Sequence, residues 1–286
     1  MQRDAFRGKV VWITGASSGI GRSLALAFAA AGARLILSAR RREVLAEVQR
    51  VCGAAESHVV PFDLADLDAL PTHAAEALAC YGTIDIMVHN AGVAARARAA
   101  ETTRQVHEHV LHTNYLGPAL LTQALLPSML AQGGGHFVVI SSLSGEYGAP
   151  QLAAYAASKH ALRGYFESLR AEEHDRGIVV TIVVPGFIRT EITAHALTGS
   201  GGNFGRVLSI YRTAMGADEC ARRILRGVAR RSEEVLVGGA EIWTVRLKRW
   251  FPRVLSVVVR SHPVRVRNKL LGWIPILGQR WRSPEG

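Results

Sequence analysis

A chain of 286 residues, 49% of them hydrophobic, has room for one domain with an appendage and is too apolar to be disordered. Its formal net charge of +11 is unevenly placed: residues 1–221 hold 19 basic and 19 acidic side chains, whereas residues 222–286 hold 15 basic and 4 acidic ones, which is the whole excess. The neutral body carries no recognisable nucleic-acid-binding motif, so nucleic acid is excluded as an expected partner despite the charge.

KVVWITG (9–15) is a β-branched run ending in glycine, which predicts a buried strand and a turn. GIGRSLALAFAAAGA (19–33) has helical apolar spacing and stops at Gly32, RLILSA (34–39) predicts a second strand, and REVLAEVQRVC (42–52) a helix. SHVVPFDL (57–64) follows as a third strand. A helix is then predicted over 66–82, where Pro71 is tolerated only near the first turn. IDIMVHNAG (84–92) is a fourth strand, 101–130 one or two helices, GGHFVVISS (134–142) a fifth strand, 151–173 a helix and GIVVTIVVPG (177–186) a sixth strand. Strands alternating with helices imply βαβ units: an α/β, doubly wound Rossmann-type parallel sheet with helices on both faces. Near-continuous apolar strands such as IVVTIVV fit a sheet covered on both sides. In such sheets ligands bind at the carboxyl ends of the strands.

TGASSGIG (14–21) sets Gly15, Gly19 and Gly21, with Ser17, Ser18 and Ile20 among them, between the first strand and first helix. Glycines there permit a tight turn and close backbone approach to a pyrophosphate at a helix N-terminus; a plain strand-to-helix turn would not need three. After the second strand, an NAD site usually presents an acid to the adenosine ribose. This chain has Ser38 and Ala39 there, followed by Arg40 and Arg41. A missing carboxylate does not repel a 2′-phosphate, and a guanidinium grips one bidentately, so NADP(H) is expected in preference to NAD(H). The alternative, that the arginines merely open a solvated helix, leaves the missing acid unexplained. Asp63, followed by Leu64, is a candidate acceptor for the adenine amino group. Asn90, Ala91 and Gly92 are placed to lie against the adenosine ribose.

At this point the sequence resembles the short-chain dehydrogenase/reductase family over about residues 8–240. TGASSGIG, NAG, Asn114 in TNYLG, Ser142 in ISSLSG, Tyr155 and Lys159 in YAASK, and PGFIRT (185–190) stand in the family's order, with 13 residues from Ser142 to Tyr155. His89 stands where the family often has a second Asn. The resemblance implies hydride transfer between a nicotinamide and a carbonyl or alcohol carbon, with Asn114, Ser142, Tyr155 and Lys159 as the catalytic set. Tyr155 would be general acid or base, Ser142 would polarise the substrate oxygen, and Asn114 would hold a water linking Lys159 to solvent. Pro185, Gly186, Ile188 and Thr190 would close over the nicotinamide, and residues 191–216 would form a substrate lid, although their glycines fit a loop with no gating role equally well.

Tyr155 and Lys159, at i and i+4, share one helix face. The chain has 30 arginines but only four lysines, so a lysine here is a departure from its habit. Lysine offers a compact charge with rotatable donors, able to serve both the phenol and the nicotinamide ribose, where arginine is a rigid fork. A nearby ammonium is expected to lower the tyrosine pKa from its usual value of about 10.

Residues 241–286 lie beyond the family-like body of 1–240 and carry 10 basic and 2 acidic residues with Trp243, Trp250, Trp273 and Trp281. Pro252 and Pro263 prevent one long helix. Basic residues interleaved with Trp and Leu fit an interfacial element on an anionic membrane; an arm packed on its own body or on another subunit fits as well. Cys52, Cys80 and Cys220 lack metal-ligand spacing and predict free thiols in a reducing compartment. No signal peptide is evident in MQRDAFRGKV, so a cytoplasmic, optionally membrane-peripheral location is expected. The family resemblance adds a homodimer or homotetramer. The substrate is expected to be an apolar carbonyl or alcohol compound, since 191–216 contains Glu191 as its only acid. A non-catalytic NADP-binding scaffold recruited by the tail is the alternative function.

Overall fold

The computed structural model describes residues 5–53 and 55–260. In chain order the first half runs β1 (Val10–Thr14), α1 (Gly19–Ala30), β2 (Arg34–Ser38), α2 (Arg42–Val51), β3 (Ser57–Val59), α3 (Leu70–Tyr81), β4 (Ile86–His89), α4 (Arg104–Leu111) and α5 (Gly117–Ala131). There follow β5 (Gly135–Ile140), α6 (Ala153–Glu172), β6 (Ile178–Pro185), β7 (Ile188–Arg189), α7 (Ser209–Arg212), β8 (Met215–Gly216), α8 (Ala217–Ala229), β9 (Glu234–Val237), α9 (Trp243–Trp250) and α10 (Pro252–Arg260). The chain divides into two compact units, Met1–Ile242 and Trp243–Gly286.

In the first unit seven parallel strands stand in the order β3-β2-β1-β4-β5-β6-β9. Every residue of β1 and seven of the eight in β6 are buried, which explains their uninterrupted apolar runs. One face carries Val11, Ile13, Leu35, Leu37 and Val183 against Leu24 and Phe28 of α1 and Ile224 and Val228 of α8. On the other face Phe137 meets Phe166 of α6 at 6.2 Å. Because all seven strands run the same way, Gly15, Ala39, Asn90, Ser141 and Gly186 emerge along one edge of the sheet.

Local chemistry places the breaks. Pro71 sits in the first turn of α3, where it needs no hydrogen-bond donor, and Gly82 ends that helix with φ +74°. Two expectations needed correction. The third strand proper ends at Val59; the Val60 and Phe62 amides still donate to the Leu37 and Ala39 carbonyls at 3.0 and 3.2 Å, but Pro61 between them has no amide to extend the ladder. The sheet also has a seventh strand, β9, which the sequence reading passed over; it is four residues long and pairs with Ile182–Pro185 at the sheet edge. The helical span over 101–130 is two helices joined by a π-helical turn, His112–Leu116, with buried Asn114 inside it.

In the second unit the helices break at Phe251, with Pro252 opening α10. Trp243, Trp250, Phe251, Val254 and Val257 are exposed, and the Arg246 guanidinium lies 4.5 Å from the centre of the Trp243 ring. Among the described residues no helix is long and apolar enough to cross a membrane. Pro263, Trp273 and Trp281 lie outside the described residues.

Candidate active site

The glycine loop is closed by strand β4. Asn90 Nδ2 donates to the carbonyls of Thr14 (3.0 Å) and Gly15 (3.2 Å), while the amides of Asn90 and Ala91 donate to Thr14 Oγ1 at 3.1 and 3.2 Å. Gly15 has φ +66°, and a Cβ there would stand 2.8 Å from Ala91 Cα. A Cβ on Gly21 would overlap the Gly15 carbonyl and the Asn90 amide. The loop thus needs glycine for its own packing as well as for access. Ser18 precedes α1 without its side chain capping the helix, which leaves the first-turn amides of Gly19, Ile20 and Gly21 open to an anion. Ser17 lies in the same turn. Thr190 reaches this loop from the other side: a Cβ on Gly19 would meet Thr190 Cγ2 at 3.2 Å.

At the end of β2 the Ser38 hydroxyl is turned into the core, where it accepts the Trp12 indole N–H at 2.8 Å. Ala39 is half-buried, and Arg40 and Arg41 are exposed with no ion pair among the described residues. Asp63 is exposed, with Oδ1 accepting the Ala65 amide at 3.0 Å, and Leu64 is buried beside it. An uncapped helix start, a glycine cradle with no room for side chains and two unpaired guanidiniums at the neighbouring strand end fit a dinucleotide phosphate. Gly15–Gly21, Arg40, Arg41, Asp63 and Asn90–Gly92 would hold its adenosine half, and Pro185–Thr190 its nicotinamide half.

The structure brings Ser142, Tyr155 and Lys159 together. Ser142 Oγ accepts the Ser144 amide at 3.1 Å, and the hydroxyl lies near enough to the Tyr155 phenol to pull its pKa down against burial. The serine is therefore a cap that also faces the phenol. Lys159 is buried, with Nζ donating to the Ile140 carbonyl at 2.9 Å and standing 5.9 Å from the centre of the Tyr155 ring. Burial brings the ammonium down to about 8. Burial also pushes the phenol up to about 12, against the opposing pull of Ser142. The expected lowering of Tyr155 by Lys159 is thus not found: Nζ is held by a carbonyl and faces the ring, so desolvation dominates.

Asn114 Oδ1 accepts the Val93 amide at 2.8 Å, and Nδ2 donates to the Val93 carbonyl and to Ser158 Oγ, both at 2.9 Å. Both amide protons are committed, and the side chain fastens the segment after β4 to α6. A Cβ on Gly92 would stand 3.0 Å from Asn114 Oδ1 and 3.6 Å from Lys159 Nζ, which places all three side by side.

Residues 191–216 are less open than their glycines suggest. Leu197 bridges to Ala95 and Asn203, and the Phe204 amide donates to Ala196 O at 2.7 Å. Tyr211 on α7 packs edge-on to Phe187 at 5.4 Å, and its phenol lies within electrostatic reach of Tyr155. Sequence reasoning gave no role to Thr14 and Ser158, although they stand inside TGASSGIG and YAASK, and it missed Tyr211 and Glu241, which belong to no motif. Glu241 Oε1 accepts the Phe187 amide at 2.8 Å and the Gly239 amide at 2.9 Å.

The model of the family described as short chain dehydrogenase matches residues 9–200. The chain is 43% identical over 273 residues to Dehydrogenase/reductase SDR family protein 7-like of Drosophila melanogaster, covering 93% of this chain and 84% of that protein. It is 41% identical over 279 residues to Dehydrogenase/reductase SDR family member 7B of Danio rerio, covering 94% and 90%. Among solved structures, a short-chain dehydrogenase/reductase from Burkholderia phymatum in complex with NAD is similar with TM-score 0.78 and 26% identity, over 87% of this chain and 96% of that one. A metagenomic short-chain oxidoreductase in complex with NADP has TM-score 0.68 and 31% identity, over 82% and 98%.

Proposed function

Because the chain belongs to the short-chain dehydrogenase family, and so is an oxidoreductase built for a nicotinamide cofactor, we propose that it interconverts a carbonyl and an alcohol on an apolar substrate with NADP(H) preferred to NAD(H). The observation that carries the reading is the buried Lys159 ammonium held by the Ile140 carbonyl 5.9 Å from the centre of the Tyr155 ring, with Ser142 near the phenol. The cofactor, when bound, exchanges hydride with the carbonyl carbon. Tyr155, raised to about 12, keeps its proton throughout the neutral range and delivers it to the oxygen of a carbonyl undergoing reduction. Ser142 donates to the same oxygen as negative charge develops. Lys159 supplies positive charge beneath the phenol, which favours the tyrosinate once the proton has left.

Preference for NADP(H) is supported by the unpaired Arg40 and Arg41 and by the inward-turned Ser38. An apolar substrate is supported by the exposed Ile192, Val207 and Ile210 in the lid and by the Phe187–Tyr211 pair. The nearest acids past the lid are turned aside: Asp218 accepts from Ser23 at 2.7 Å, and Glu219 pairs with Arg222 and Arg223.

The same reading extends to location: a cytoplasmic protein, of two or four copies by family resemblance, that touches anionic membranes through 241–286. The exposed tryptophans beside Arg246, Lys248, Arg249 and Arg253 support that contact. NADPH oxidation followed with a panel of aldehydes, ketones and quinones tests the activity. Tight NADPH binding without turnover on any of them would turn the assignment into a cofactor-binding scaffold.

A further inference from the structure

The turn after β6 is held from the far end of the unit. The Gly186 amide donates to the Val237 carbonyl at 2.8 Å, at the end of β9. One residue on, the Phe187 amide donates to Glu241 Oε1 at 2.8 Å, and the same oxygen accepts the Gly239 amide at 2.9 Å. The carboxylate fills the space left by two glycines: a Cβ on Gly186 would overlap Oε1 and stand 2.9 Å from Cδ, and one on Gly238 would stand 2.6 Å from Oε1. From this turn the chain runs through Ile188 to Thr190, which touches the phosphate loop at Gly19, while Phe187 meets Tyr211 of the lid.

We propose that Glu241 is a positioning residue for the cofactor loop 185–190, its carboxylate locking the Gly186–Phe187 turn onto the Gly238–Gly239 turn. Two amides that would otherwise need water are fixed by one oxygen, so the path from Pro185 to Thr190 is set before any ligand arrives. Gly186 and Gly238 then have a reason to be glycine that is independent of their backbone angles: the carboxylate occupies the positions of their side chains. The proposal rests on the reading of 185–190 as a cofactor loop.

The test is NADPH binding measured by calorimetry on the full chain, with thermal midpoints recorded alongside. Glu241→Ala is expected to weaken NADPH by about tenfold or more and to raise the KM for NADPH more than it lowers kcat. Glu241→Gln keeps an acceptor oxygen and is expected to stay within about threefold of the parent. Gly186→Ala is expected to weaken binding on its own but to add little in the Glu241→Ala background, because the carboxylate it collides with is gone. Full additivity of the two losses, or unchanged affinity in Glu241→Ala, overturns the proposal. Should Glu241→Ala fail to fold, Glu241→Asp, whose shorter arm cannot span both amides, takes its place in the same cycle. A parent chain that binds neither NADPH nor NADH would instead overturn the underlying assignment of function.

Discussion

Lys159 Nζ donates to the carbonyl oxygen of Ile140 at 2.9 Å, tying the middle of α6 to the end of β5. That ammonium is therefore held at one point and buried away from solvent. Lys159→Arg should lose nearly as much turnover as Tyr155→Phe, since a planar guanidinium cannot take the same place. Tyr155→Phe should lower kcat by about 10²–10⁴-fold and leave NADPH binding within a few-fold. Steady-state rates with binding titrations check both, and a fully active Lys159→Arg would refute this account of the lysine.

A pH profile follows from the same pair. With the phenol raised to about 12 and the ammonium lowered to about 8, only Lys159 changes charge in the accessible alkaline range. The kcat/KM for NADPH in the reductive direction should fall above about pH 8 as the ammonium is lost. A profile that stays flat to about pH 10 would remove Lys159 charge from the free-enzyme requirement.

Arg40 and Arg41 should make NADPH the tighter cofactor. Ala39→Asp combined with Arg40→Ala should shift the ratio of affinities toward NADH by about tenfold or more. The acid is placed at 39 because Ser38 is occupied with Trp12 in the core. Competitive titration with both cofactors measures it, and equal affinity in the unmodified chain would end the claim.

Two buried histidines predict acid sensitivity. His89 shares a hydrogen bond with Thr122 at 2.8 Å and is brought down to about 3 by burial; His136 does the same with Thr181 at 2.8 Å and is brought down to about 4 by burial, with Arg231 adding to the effect. Their folded pKa values lie below the unfolded value of about 6.5, so their contribution is complete above that pH and is lost as pH falls toward the folded values. Between about pH 6 and 5 the loss should approach 1.4 kcal/mol per pH unit for each histidine. Urea titrations across that range should show it, and His89→Asn should remove about half of the slope.

The second unit should carry membrane affinity. The full chain is expected to co-sediment with vesicles containing anionic lipid at low salt and to be released as salt rises, each basic residue near the surface adding about 1 kcal/mol. A chain ending at Ile242, which keeps Glu241, should stay in the supernatant. Failure of the full chain to sediment would exclude the membrane reading, and a change in the size of the shortened chain by light scattering would point to an arm between subunits.

The sequence was most informative where backbone demands are severe. Three glycines in a strand-to-helix turn, apolar runs buried on both faces and Pro71 in a first turn each have few structural solutions, so the sheet was legible in advance, while the Ser142–Tyr155–Lys159 set was legible only through the family resemblance. Short or purely tertiary features were not. Strand β9 is four residues long and owes its existence to the edge of β6. Glu241 opens the strongly basic segment 241–286, and its partner is a turn 54 residues earlier. The tyrosine pKa failed for a related reason: helical spacing places Lys159 near Tyr155 but does not say that a carbonyl of β5 will claim its ammonium.

The brace at Glu241 also bears on the order in which a ribosome makes the molecule. A nascent chain that has emerged through β6 already contains the serine, tyrosine and lysine of the site, and every strand needed to seat them. It does not yet contain Val237, Gly239 or Glu241, the partners of the Gly186–Phe187 turn. The chemical groups are thus laid down well before the residues that secure the loop facing them. On the proposed role of Glu241, a product truncated just after β9 would keep the sheet intact while leaving the Gly186–Phe187 turn without its carboxylate partner.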